Sequence, residues 1–273
     1  MRPALCLARI GQSGRHWLGL SISYLKLPRG KSFLMPEDSL PPSHRSALLS
    51  LFLIAALIVY ASYAILLLWR EPHLLALCLL PAPLALMARL GPSGPATAAA
   101  GAVIGPLTEA ACVAGGLWSY AETGGLPLIP PWLPVIWACF PAALWLIAKS
   151  LLSEVPLPRR GALPFCLAGI VLEIVLFLTL SHSLPLIFAA AMLMGAAAIL
   201  AVTRVERRTV LALMAAGAVL GPVCEALPVA AGAWSYAQPD VLGLPLWLPL
   251  AYALFAVLVA YGARSLAEGD IAK

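Results

Sequence analysis

One stretch of this chain occurs twice, and that repetition limits the fold more than any other feature. Residues 98–120 read AAAGAVIGPLTEAACVAGGLWSY and residues 214–236 read MAAGAVLGPVCEALPVAAGAWSY. At a constant offset of 116, Gly101, Gly105, Pro106, Glu109, Gly116, Trp118, Ser119 and Tyr120 return as Gly217, Gly221, Pro222, Glu225, Gly232, Trp234, Ser235 and Tyr236. One residue is then lost, and at offset 115 Trp132, Pro134, Phe140 and Ser150 meet Trp247, Pro249, Phe255 and Ser265. A match of this quality implies duplication of a structural unit. Each copy carries one carboxylate inside an apolar stretch, with an aromatic pair just beyond it.

The medium follows from composition. The chain is 62% hydrophobic and 11% charged, against about 25% charged in a soluble domain. That deficit is too large for a surface facing water, so the chain reads as an integral membrane protein. Its net charge of +5 does not point to nucleic acid, because the basic residues lie between apolar segments. Six cysteines show no C-x-x-C spacing and read as small buried hydrophobes, not as metal ligands or disulfides.

Residues 1–44 stand apart: they are basic and proline-bearing, with a broken apolar run and no signal-peptide pattern. They read as a disordered cytoplasmic tail, and Met35 offers an alternative start. Eight apolar segments follow, at about 46–69, 73–90, 96–117, 131–150, 162–181, 184–203, 209–231 and 245–265, each near the roughly 20 residues a helix needs to cross a bilayer. Pro81, Pro83 and Pro185 interrupt or open the second and sixth. With the N-terminus inside, only Arg70 of the 17 Lys and Arg falls outside, as the positive-inside rule requires. The expected fold is therefore all-α and polytopic, with both termini cytoplasmic in the inner membrane. Residues 45–152 and 153–273 form two four-helix repeats. An even number of spans per unit makes the repeats parallel, related by a pseudo-twofold axis along the membrane normal.

Glu109 and Glu225 are the central candidates. Each lies nine residues before its tryptophan. In a helix that is about 13 Å deeper, if Trp118 and Trp234 sit at the interface with Tyr120 and Tyr236. An ionised carboxylate at that depth costs about 2.5 kcal/mol or more unless paired, protonated or hydrated. Gly101, Gly105 and Glu109 share one helical face, as do Gly217, Gly221 and Glu225, so both acids point toward neighbouring helices. Pseudo-symmetry lets them approach each other across the axis. Glu173, in the fifth segment, is a third carboxylate whose repeat counterpart is Leu57 or Ile58. It marks a feature that one half has and the other lacks. The alternative for all three is a structural hydrogen bond between helices. Trp118, Tyr120, Trp234 and Tyr236 are either an aromatic belt at the interface or a lid over a central site, touching a ligand with Ser119 and Ser235. His73 and His182 are weak metal candidates. No cofactor motif is present, and the expected partners are membrane lipid and an apolar small molecule.

The pattern E-x-x-x-V-x-x-G-x-W-S-Y followed by G-L-P-L-W-L-P-L-A-Y resembles the bacterial and archaeal carotenoid-biosynthesis membrane proteins, which include carotenoid hydratases. The resemblance places Glu109 or Glu225 at that family's glutamate, Tyr120 or Tyr236 at its tyrosine, and Pro249-Leu250-Ala251-Tyr252 at its P-L-A-W run. Tyr252 stands where the family prefers Trp; in the first copy Trp137 restores it within P-V-I-W. A hydratase would need a carboxylic acid to deliver a proton to an alkene. Two other functions fit the same residues: a transporter whose glutamates carry protons, and a non-catalytic scaffold whose glutamates only tie helices. The spans offer too few polar groups to line a hydrophilic path, which favours an apolar ligand.

Overall fold

Local chain chemistry explains where the helices start and break. The computed structural model describes residues 42–152, 155, 162–181, 185–202 and 207–267. The basic tail up to residue 41, Arg159, Arg160, His182, Arg204 and Lys273 lie outside the described residues. The helices are α1 (Pro42–Leu68), α2 (Pro72–Leu79), α3 (Pro81–Leu90), α4 (Gly94–Ala114), α5 (Leu133–Leu151), α6 (Ala162–Leu180), α7 (Pro185–Val202), α8 (Arg207–Ala230) and α9 (Leu248–Ala267). Proline opens α2, α3 and α7 and sits in the first turn of α4 and α5, where its missing N–H costs nothing.

The second apolar segment is two helices, not one. Pro81 cannot donate to the carbonyl four residues back, and its ring crowds that carbonyl. Leu80 N–H instead bonds to Leu77 O at 3.3 Å, and α3 starts afresh at Pro81. By contrast α4, α5 and α8 run through internal prolines at Pro106, Pro141, Pro222 and Pro228. In a membrane, neighbouring helices make that tolerable.

Among the described residues, six helical stretches are long and apolar enough to cross a membrane; Pro72–Ala114 counts as one of them, and Leu186–Ile199 is a shorter apolar helix. Large apolar side chains such as Phe52, Leu107 and Leu186 face outward, as lipid contact requires. The chain is a multi-pass membrane protein. α5 and α9 are the most enclosed spans and α1 the least.

Helix packing follows the repeat. α4 packs on α5 and α8 on α9, while α4 meets α9 and α5 meets α8 across the halves. α1 touches α8, and α6 touches α4. The glycine faces sit at the first pair of contacts. A Cβ on Gly105 would lie 2.1 Å from the Trp137 ring, and one on Gly221 would lie 2.2 Å from the Tyr252 ring. These small residues therefore admit the next helix of the same copy, not the other copy. Trp145 Nε1 donates to Ala260 O at 2.8 Å and ties α5 to α9.

Charge is segregated by end. Arg45, Arg89, Lys149, Arg207, Arg208 and Arg264 belong to helix ends remote from the two Trp-Ser-Tyr stretches. Arg89 donates to Ser46 and Ser50 of α1, and Arg264 to Ser93. Arg70 sits at the other end, its guanidinium 4.6 Å from the Trp69 ring centroid.

Candidate functional site

Two helix ends build the site. In α4, Gly116 N–H bonds to Val113 O at 2.9 Å and Leu117 N–H to Cys112 O at 3.1 Å. In α8, Gly232 N–H bonds to Val229 O and Ala233 N–H to Pro228 O, each at 3.0 Å. Both are Schellman motifs, with glycine in the left-handed region at φ +74° and +79°. They turn the chain back over the helix it has just left. The spans consequently end at Ala114 and Ala230, and Trp-Ser-Tyr forms strands β1 (Trp118–Tyr120) and β2 (Trp234–Tyr236).

The strands pair antiparallel, Trp118 with Tyr236, Ser119 with Ser235 and Tyr120 with Trp234. Ala121 N–H to Ala233 O and Ala237 N–H to Leu117 O extend the ladder equally on both sides. Side chains alternate along a strand. The serines therefore face out and are exposed, while the tryptophans and tyrosines turn inward. Trp118 and Tyr236 rings lie 5.6 Å apart, and Tyr120 and Trp234 rings 5.8 Å. Ser119 and Ser235 are not among the residues that line the site.

The inward rings reach the acids. Trp118 Nε1 and Tyr120 OH both donate to Glu109 Oε2, at 2.8 and 2.9 Å. Trp234 Nε1 lies 3.4 Å from Glu225 Oε2, Tyr236 OH donates to the same oxygen, and Tyr252 OH donates to Oε1. The helical depth of about 13 Å is thus overturned: with the strand folded back, the indole nitrogen is within hydrogen-bonding distance of the carboxylate. The neighbouring Thr108 hydroxyl donates to Ile104 O in its own helix at 3.0 Å.

Glu109, Glu173 and Glu225 line one cavity of about 220 Å³, together with Trp118, Tyr120, Trp234 and Tyr236. All seven candidate residues are therefore brought together. The rest of the lining is mainly aliphatic and aromatic, and includes Ser62 and Thr108 but no Lys, Arg or His. Glu173 differs from its two companions. It is 2% exposed, and neither carboxylate oxygen has a hydrogen-bond partner among the described residues.

Sequence reading underweighted Trp132, Trp137, Trp247 and Tyr252, which also line the cavity. Trp132 is 2% exposed, packed 5.9 Å from Tyr120 and 6.1 Å from Trp234, and Trp247 lies 6.2 Å from Tyr236. Their common offset of 115 was the available signal. His73 Nε2 lies 3.0 Å from Gly124 O, and no group of three potential metal ligands occurs among the described residues.

No family model matches this chain, so the resemblance to the carotenoid-biosynthesis proteins is not supported by one, and no curated protein matches significantly. Among solved structures, a mycobacterial Insig homolog, MvINS from Mycobacterium vanbaalenii, matches with a TM-score of 0.50 and 24% identity, over 62% of this chain and 92% of that one. A cross-linked trimer of MvINS matches with a TM-score of 0.49 at 24% identity, over 61% of this chain and 89% of that one. At this identity the likeness to the first is one of fold.

Proposed function

We propose that this protein holds an apolar small molecule in a central intramembrane cavity between two parallel four-helix units, residues 45–152 and 153–273. One observation carries the reading: three carboxyl groups converge on a single cavity whose remaining walls are almost entirely apolar. Such a site suits a ligand with an apolar body and one polar end, whereas a hydrophilic substrate would meet few partners. The paired Trp-Ser-Tyr strands close the cavity at the end opposite the basic residues. By the positive-inside rule that closed end faces outward from the inner membrane, with both termini in the cytoplasm. Eight spans follow if α2 and α3 together cross once. Conversion of a bound isoprenoid alkene would use Glu109 or Glu225 as the proton-delivering acid, and proton-coupled transport would use them as carriers. The apolar lining favours binding or conversion over transport.

Mass spectrometry of small molecules that co-purify in mild detergent tests this, comparing wild type with Glu109→Gln/Glu225→Gln. The expected result is one lipid or isoprenoid species, lost in the double variant. Bulk phospholipid alone in both preparations would overturn the reading.

A further inference from the structure

Glu109 and Glu225 are occupied by the fold itself. Each accepts indole and phenol donors from its own copy, and Glu225 accepts a third from Tyr252. Glu173 sits in the same cavity, and neither of its oxygens has a hydrogen-bond partner among the described residues. Burying a carboxyl without hydrogen bonds is costly, and no hydrogen bond among the described residues offsets that cost. A side chain retained against stability at a cavity wall points to a ligand group that completes it.

The cavity is asymmetric around this residue. From α6 it receives Glu173 and Phe177, and from α1 a stripe that includes Leu57, Ile58, Ala61 and Ser62. By the repeat offsets, Leu57 or Ile58 replaces Glu173, and Ala61 or Ser62 replaces Phe177. The α1 wall is thus mainly aliphatic and carries no charged group, while α6 contributes a carboxyl beside an aromatic ring. Three acids and no basic side chain line the space, so a carboxyl that ionises there finds no cation in the lining and is stabilised by one carried by a ligand.

We propose that Glu173 is the head-group residue of this site, and that the ligand is a lipophilic amine: its ammonium donates to Glu173 and its apolar body lies along α1. This rests on the reading of the cavity as a ligand site. Glu109 and Glu225 are then positioning residues that hold the paired strands over the cavity.

The test uses the full chain in mild non-ionic detergent. Trp118, Trp132 and Trp247 line the cavity, so tryptophan fluorescence reports binding of decylamine and, separately, decanol. Decylamine is expected to saturate the wild-type signal, with its apparent Kd raised at least tenfold in Glu173→Gln and that of decanol unchanged. Equal decylamine affinity in the two proteins overturns the role of Glu173 and leaves the cavity reading standing. Tighter binding of decanol than of decylamine by wild type overturns the amine. Failure of both probes sinks the cavity reading and this proposal with it. Glu173→Gln and Glu173→Leu are also compared by thermal unfolding. Glu173→Leu should melt higher than wild type, because an unpartnered buried carboxyl is removed, whereas Glu173→Gln keeps a buried polar group there; lower melting of both would assign Glu173 to the fold and overturn the proposal.

Discussion

At the residue scale, three buried glutamates differ in what surrounds them. Glu225 accepts from three donors and Glu109 from two, while Glu173 has no partner among the described residues. Removing a donor leaves a carboxylate partly unsatisfied, at about 1–3 kcal/mol for a fully buried group, and nearer 0.6 kcal/mol on average in membrane proteins. Tyr252→Phe and Tyr120→Phe are therefore expected to lower stability by about 1 kcal/mol each. Thermal unfolding in detergent measures this. A double-mutant cycle between Tyr120→Phe and Glu109→Gln should show a shared coupling energy. The residue pattern was largely legible: the spacing Glu, Trp nine later and Tyr eleven later stands in both copies. What the acids accept from was not, because that depends on which way the chain turns after the helix.

At the element scale, glycines divide into two kinds that the sequence writes alike. Gly105 and Gly221 admit aromatic rings of the next helix, and added Cβ atoms would lie 2.1 and 2.2 Å from ring carbons. Gly116 and Gly232 have nothing within 4 Å of an added Cβ but adopt φ +74° and +79°. Gly105→Ala is expected to push α4 away from α5 and cost about 1–3 kcal/mol through overpacking. Gly116→Ala should cost about 1–2 kcal/mol through backbone strain alone. The two are separable by cavity volume, since the first should alter ligand retention more than the second for a similar loss of stability. Thermal unfolding alongside the co-purification assay makes the comparison. The helices fall on the apolar runs, and among the described residues six helical stretches are long and apolar enough to cross a membrane, with Leu186–Ile199 shorter. The break between α2 and α3 falls at Pro81, where the sequence marks an interruption, whereas Pro106, Pro141 and Pro222 sit inside continuous helices.

At the scale of the whole molecule, the two halves are joined at both ends and through the middle. The strand pair couples them at one end, Trp145 to Ala260 O in the body, and Arg264 to Ser93 at the other. Ser119 and Ser235 are directly opposed and exposed, so Ser119→Cys/Ser235→Cys should form an intramolecular disulfide under mild oxidation, given the Cα separations of about 5.5 Å that opposed strand residues adopt. Non-reducing electrophoresis after cleavage between the halves reads this out: the fragments should stay joined only when oxidised. Locking the strands should slow ligand exchange if the cavity is entered from that end, and leave it unchanged if entry is lateral beside α1.

By itself the sequence determined the membrane medium, the repeated motif and the positions of the three acids along the chain. Each of these depends on composition or spacing along one chain, since hydrophobic length selects a membrane helix and a repeated pattern is visible without folding. Only the tertiary structure decided that Trp118, Tyr120, Trp234 and Tyr236 fold back onto the glutamates, that the glycine faces pack within a copy, and that Glu173 has no hydrogen-bond partner among the described residues. Those outcomes depend on the direction of the chain after a left-handed glycine and on which side chains meet across helices distant in sequence. Periodicity says which residues share a face, but not what that face meets.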